Sequence, residues 1–186
     1  MNTFQDHDCE GSAVEYTSTP DKPYHYVGSG LGNVYLVGVK YWRCSVCRKQ
    51  AADIPSLNQL LASIARTLVE KKSPLTGEQV RHLRKRLGKP SKEFAALVGV
   101  TPERYSAIES SETMPVAEGR DKLVRFIYRV FSRDRKLKDA LADTQQIEQW
   151  LLALHDRGGS ERIVGTWLGA RARRWRVETA ALAACA

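Results

Sequence analysis

The chain has 186 residues, a formal net charge of +8 and 27% charged side chains, and its pI is near 9.5. No apolar run approaches the length that crosses a bilayer, and the polar, acidic stretch from Met1 to Glu10 does not resemble a leader, so a cytoplasmic protein with its four cysteines reduced or metal-bound is expected. The positive balance favours a polyanionic partner, because every phosphate neutralised by Lys or Arg releases counterions.

Residues 1–22 are polar, lack an apolar period and read as a flexible lead-in carrying His7 and Cys9. From Tyr24 to Arg43 aromatic and β-branched residues dominate, broken by Gly28, Gly30, Gly32 and Gly38. This pattern predicts short antiparallel strands, clearest at Val34–Val37. Cys44-Ser-Val-Cys47 then places two thiols on one turn at a strand end, the spacing of one knuckle of a zinc ribbon. A closed tetrahedral site needs two further ligands. Cys9 and His25 are the candidates, with His7 beside them; Cys185 lies too near the end of the sequence to favour. A redox dithiol and a ribbon that has lost its metal remain alternatives, although the βαβ context of a thioredoxin-like dithiol is not readable here. Residues 23–53 therefore form a small β, zinc-ribbon-like module.

Pro55 marks the next boundary. Leu57, Leu60, Leu61, Ile64 and Leu68 recur at three- and four-residue spacing, which predicts a linking helix within 54–73. Its stripe reads as packing on the strands, with a dimer seam as the alternative. Lys71 to Pro74 reads as a hinge.

Residues 74–132 carry the most regular pattern. Val80, Leu83 and Leu87 share one face of a helix beginning near Gly77, capped by Thr76 and ended by Gly88. A second helix opens near Ser91, a natural N-cap, with Phe94, Ala95, Leu97 and Val98 as its apolar stripe; Gly99 turns the chain and Val100 pins the turn. Thr101-Pro102-Glu103 starts a third helix: threonine caps, proline needs no N–H at the first position, and the acid favours the positive end of the dipole. Helix, glycine turn and Thr-Pro helix form a helix-turn-helix, whose last helix enters the major groove of DNA. A fourth helix over Val116 to Phe131 closes the bundle, with Arg120, Lys122, Arg125 and Arg129 on its outer side. Residues 133–186 read as a helical annex: an amphipathic helix over Lys136 to His155, a break at Arg157 to Ser160, and a basic segment from Glu161 to Ala184.

The stretches LRKRLG, KEFAALVGV and TPERYSAIE resemble the Cro/CI-type, XRE-like helix-turn-helix family. Ser91 stands where that family often has Gln, and Ile108 where it often has an aromatic residue. With YHY…SGLGNVYL and the CxxC motif ahead of it, the region from Tyr24 to Arg129 resembles the MqsA/YgiT-type zinc-finger and helix-turn-helix proteins, many of them antitoxins that also repress transcription. The second cysteine knuckle of that pattern is absent.

The fold expected is mainly α, with an N-terminal antiparallel β module, a Cro/CI-type bundle and extra C-terminal helices. On the third helix, Glu103, Arg104, Ser106 and Ala107 face outward. Arg104 is the best base reader, since guanidinium bonds guanine O6 and N7 together. Glu103 either accepts from cytosine N4 or favours the helix start. Ser91, Lys92, Thr101 and the helix-opening Pro102 are placed for phosphate, Arg81 and Arg84 for backbone contacts, and Tyr105 for a buried ring with its hydroxyl towards phosphate. The reading is a dimeric repressor on double-stranded DNA with a palindromic operator. The alternative is an antitoxin that neutralises a toxin protein and represses its own operon. No base-and-orienter arrangement is readable around the cysteines, so an enzyme is not expected.

Overall fold

A computed structural model describes residues 9–111, 114–139, 144–154 and 161–181. There are two small sheets, and one of them meets a helical bundle on a central helix, α1 (Leu57–Glu70). The first sheet is antiparallel, in the order β1 (Ala13–Thr17), β4 (Lys40–Cys44), β5 (Gln50–Asp53). Residues 13–17 fall inside the expected lead-in, but they pair with β4 along their whole length, from Ala13 opposite Cys44 to Thr17 opposite Lys40. Tyr16 stacks on its cross-strand partner Tyr41 with ring centroids 5.4 Å apart, the kind of pair that fixes sheet register.

The second sheet has the order β2 (Tyr24–His25), β3 (Val34–Val37), β6 (Glu161–Trp167), β7 (Trp175–Ala181). Here the structure corrects the sequence reading, which took Glu161 to Ala184 as helical. The segment is a β-hairpin whose first strand lies parallel to β3, with Leu36 opposite Gly165. Ile163, Val164, Thr166, Trp167, Trp175 and Val177 are the β-branched and aromatic residues a strand favours. The tip is turned by the short α8 (Gly169–Ala172) and by Arg173, whose φ of 44° is left-handed. Gly165 is needed where it stands: a Cβ there would come within 3.0 Å of Leu36 Cδ2 and 3.2 Å of Leu60 Cδ1.

The apolar stripe of α1 packs on this second sheet, as the first of the two readings expected. Leu60, Ile64 and Leu68 are fully buried, each contributing about 1.5–3 kcal/mol of transfer free energy. Trp175 Nε1 donates to Pro55 O at 2.8 Å and locks the turn end of the hairpin to the start of the helix. The other side of α1 meets α2 (Gly77–Arg86) and α5 (Glu118–Phe131), with α3 (Ser91–Leu97) and α4 (Pro102–Ser110) completing the bundle. The extra C-terminal helices are present as two short pieces, α6 (Arg135–Asp139) and α7 (Thr144–Ala153).

Two surface expectations are overturned on α5. Arg125 and Arg129, taken for its outer face, are buried. Arg125 lies at the C-terminal end of α1, where backbone carbonyls lack helical partners. It donates to the carbonyls of Leu68 (3.0 Å), Val69 (3.2 Å), Lys71 (2.6 Å) and Ser73 (2.7 Å) and pairs with Asp121 at 2.8 Å. Arg129 lies over the Trp150 ring at 3.9 Å. The stretch read as a hinge is the same polar knot. Lys71 is buried, donates to Ser73 Oγ and Pro74 O, and is lowered to about 8 by burial first and by Arg125 beside it.

Candidate nucleic-acid interface and thiol cluster

The bundle starts at Thr76, whose N–H donates to Gln79 Oε1 at 3.2 Å, one half of a capping box. Helix α2 ends at Gly88 and α3 at Gly99, both left-handed, with φ of 66° and 69°; glycine accepts that conformation without the penalty a Cβ brings. Pro90 holds the N-cap position of α3, so Ser91 is its first helical residue and caps nothing through its side chain. Thr101 does cap α4: its Oγ1 accepts from Arg104 N at 3.3 Å, with Pro102 at the first position. Val80, Leu83, Phe94, Ala95, Val98 and Tyr105 form the shared core, and the Phe94 and Tyr105 rings tilt against each other at 5.7 Å.

A clamp fixes α4 against α2. Glu109 near the end of α4 receives a two-pronged bond from Arg84, Nε to Oε1 at 2.7 Å and Nη2 to Oε2 at 2.9 Å, while Arg84 Nη1 donates to Lys89 O at 2.9 Å. Arg81 donates to the Glu109 carbonyl. The sequence reading gave Arg81 and Arg84 to the DNA backbone. The structure holds both guanidiniums against the C-terminal end of α4, where carbonyls and the helix dipole attract cations. Tyr105 is likewise fully buried, and its hydroxyl sits inside, beside Glu109 and Arg84, rather than towards phosphate. Burial, with Glu109 adding to it, raises its phenol pKa. Glu109 and the close approach of Gly77 to α4 were not singled out from the sequence. The terminal Glu of the family pattern was the available signal for the first; the second has none short of the packed fold.

What remains outward on α4 is Glu103, Arg104, Ser106 and Ala107, with Thr101, Pro102 and Lys92 exposed alongside and Ser91 half-buried. The Glu103 carboxyl is lowered by its own backbone N–H and then by the Thr101 hydroxyl, which ties it to the helix start. Among the described residues no side chain pairs with the Arg104 guanidinium, so a long cation stands free at the third position of the exposed helix.

The second cluster lies on the first sheet. The thiol sulfurs of Cys9, Cys44 and Cys47 all lie within 4.8 Å of one another, and Cys9 and Cys44 are 3.7 Å apart. Zinc bound to thiolates at 2.3 Å in a tetrahedron separates its sulfurs by about 3.8 Å, so the donors fit a soft divalent cation. The knuckle is built by Cys44 N donating to Lys49 O at 2.9 Å and Ser45 N to Ser12 O at 3.0 Å, with Arg48 left-handed at φ 62°. Gly11 leaves room for the buried Cys44 sulfur, which a Cβ there would overlap. The Lys49 backbone draws the Cys47 thiol pKa down, but burial and the neighbouring Cys44 and Cys9 outweigh it and leave the thiol raised. Three of the four expected ligands are thus brought together and His25 is not. Its Nε2 lies 2.8 Å from Gly32 O and its ring stacks on Tyr35 in the other sheet, because the strand pairing of β2 with β3 carries it there. His7 lies outside the described residues.

A capped exposed helix held by a glycine-turned pair of helices is the helix-turn-helix arrangement, the geometry in which a last helix enters the major groove of DNA. Residues 80–117, from within α2 to the residue before α5, match the family model described as helix-turn-helix. No curated protein and no solved structure matches the chain. Among the described residues no helix is long and apolar enough to cross a membrane.

Proposed function

We propose that the chain is a sequence-specific transcriptional regulator, a dimeric repressor that binds a palindromic operator and controls its own gene. The observation that carries this reading is α4, which presents the unpaired Arg104 and the small Ser106 and Ala107 to solvent while Tyr105 and Glu109 anchor its other face. Small side chains beside one long guanidinium let the helix approach base edges closely, and the guanidinium reads guanine O6 and N7 as a pair. Lys92 supplies a point charge for phosphate from the start of α3. A single module reads few base pairs, and two copies one helical turn apart give a useful site length. Arg104→Ala should lower affinity for the selected site by about 1–3 kcal/mol and relax one base position. Equal binding of that variant to the site and to its single-base variants, at wild-type affinity, would remove Arg104 from the interface.

In the same reading Cys9, Cys44 and Cys47 hold a structural zinc ion. Zinc there supplies a cross-link between the β1 lead and the Cys44 knuckle. Cys44→Ser should drop zinc content from about one equivalent to near zero and lower the melting temperature. Elemental analysis that finds no metal in the wild-type protein, with melting unchanged by the substitution, would leave the thiols without a structural ion. A metal-binding sheet beside a helix-turn-helix also favours a second reading, an antitoxin that neutralises a toxin protein; a protein that co-purifies with the full chain and inhibits growth when expressed alone would select it.

A further inference from the structure

The C-terminal hairpin is the part of the molecule that the helix-turn-helix leaves unused, and its tip carries Arg171, Arg173, Arg174 and Arg176 with no acid among them. Two concavities adjoin on the outer face of α1. One lies between that helix and the hairpin and is lined by Arg66, Arg174 and Arg176; the other lies between α1 and the ends of α2 and α5 and is lined by Arg86, Gly88 and Arg133. Ala62 lines both, so the two concavities lie side by side, and together they are called the groove. Five arginines face it against a single carboxylate, Asp134, and that carboxylate is bonded to Arg66 at 2.7 Å. No described carboxylate pairs with Arg174 or Arg176, and both are exposed.

Beyond Gly88 comes Lys89, whose ammonium lies 5.7 Å from the Phe131 ring, and then Ser91 and Lys92 at the start of α3. The hairpin end is rigid: Trp175 between the two arginines is buried, bonded to Pro55 O, and tilted against Trp167 at 5.4 Å, while Leu168 N donates to Arg174 O at 3.1 Å. Ala62, Ser63 and Gly88 are the small residues of the lining.

We propose that this arginine groove is a second nucleic-acid contact, holding the phosphate backbone of the duplex that flanks the site read by α4, with Arg174 and Arg176 of the hairpin as its outer grip. It rests on the DNA-binding reading above and extends the footprint of each chain beyond what three helices cover. A hairpin backbone already locked in place loses little freedom on binding, and phosphate contacts made from it add affinity without adding base specificity.

The test uses the full chain, a duplex it selects from a random library, and the same site trimmed of its flanks. On the long duplex, R174A/R176A should weaken binding and make the plot of log affinity against log salt shallower by up to about two per chain, at roughly 0.9 for each phosphate released. On the trimmed duplex the variant and the wild type should bind alike, and R174K/R176K should keep most of the long-duplex affinity. Unchanged affinity and slope on the long duplex would overturn the groove contact while leaving the helix-turn-helix reading intact, provided R104A still loses discrimination. Equal losses on both duplexes would overturn its assignment to flanking DNA. A wild-type chain that selects no duplex at all would overturn both readings. Both arginines are exposed, so a thermal melt equal to wild type is expected, and it separates loss of contact from loss of fold.

Discussion

Asp121→Ala should cost about 3–5 kcal/mol of stability, the range for removing one partner of a buried ion pair, and lower the melting temperature by roughly 6–20 °C in a chain of this size. Asp121 and Arg125 are both fully buried on successive turns of α5. Asp121 Oδ1 also accepts from Leu75 N at 2.8 Å, at the entry to α2. Without the carboxylate, a guanidinium would remain inside the protein with Lys71 as its neighbour, balanced by carbonyl dipoles and the more distant Glu161. The bonds it makes to the carbonyls at the end of α1 tie that helix, and the second sheet packed on it, to the helix-turn-helix bundle, so the loss falls at their junction. Urea unfolding of both proteins measures it. A midpoint within error of wild type would mean that the pair is not buried in solution.

Gly77→Ala should damage both stability and DNA binding. A Cβ at that position would overlap the Ile108 carbonyl oxygen and come within 2.5 Å of the Ser111 carbonyl oxygen. Both are backbone atoms, so no rotamer change relieves the contact. The end of α4 must move away from α2, which also pulls Glu109 from Arg84. The cost should reach or exceed the roughly 1–3 kcal/mol of ordinary overpacking, and the displaced α4 should lose affinity for any selected duplex. Gly119→Ala is the matching control, because a Cβ there meets nothing within 4 Å and alanine in a helix gains up to about 1 kcal/mol. If Gly77→Ala melts and binds like wild type, the close α2–α4 approach is wrong.

The helix-turn-helix was legible because its signals are local. Thr76, Gly88, Gly99 and the Thr101-Pro102 pair each set one boundary through their own backbone chemistry, and the apolar spacing between them has a single period. The strand Val34–Val37 and the stripe of α1 were legible for the same reason. Glu161 to Ala181 was not, because its arginines suggest a solvated helix while its strand character depends on pairing with β3 more than 120 residues earlier. Arg84, Arg125 and Arg129 misled for a related reason. A basic residue on a helix is usually solvated, and these three are turned inward by a helix end, a carboxylate or an indole contributed from elsewhere in the chain. Most of the thiol site was legible: CxxC marks two ligands and Cys9 was among the candidates for the rest, whereas His25 is carried to the other sheet by the pairing of β2 with β3.

The most direct test of DNA recognition is a gel shift of the full chain on the duplex upstream of its own gene, with a scrambled competitor and a salt series. Recognition through α4 predicts a complex that survives excess competitor at salt concentrations that strip non-specific binding. Equal, weak and steeply salt-sensitive binding to the upstream and scrambled duplexes would contradict it.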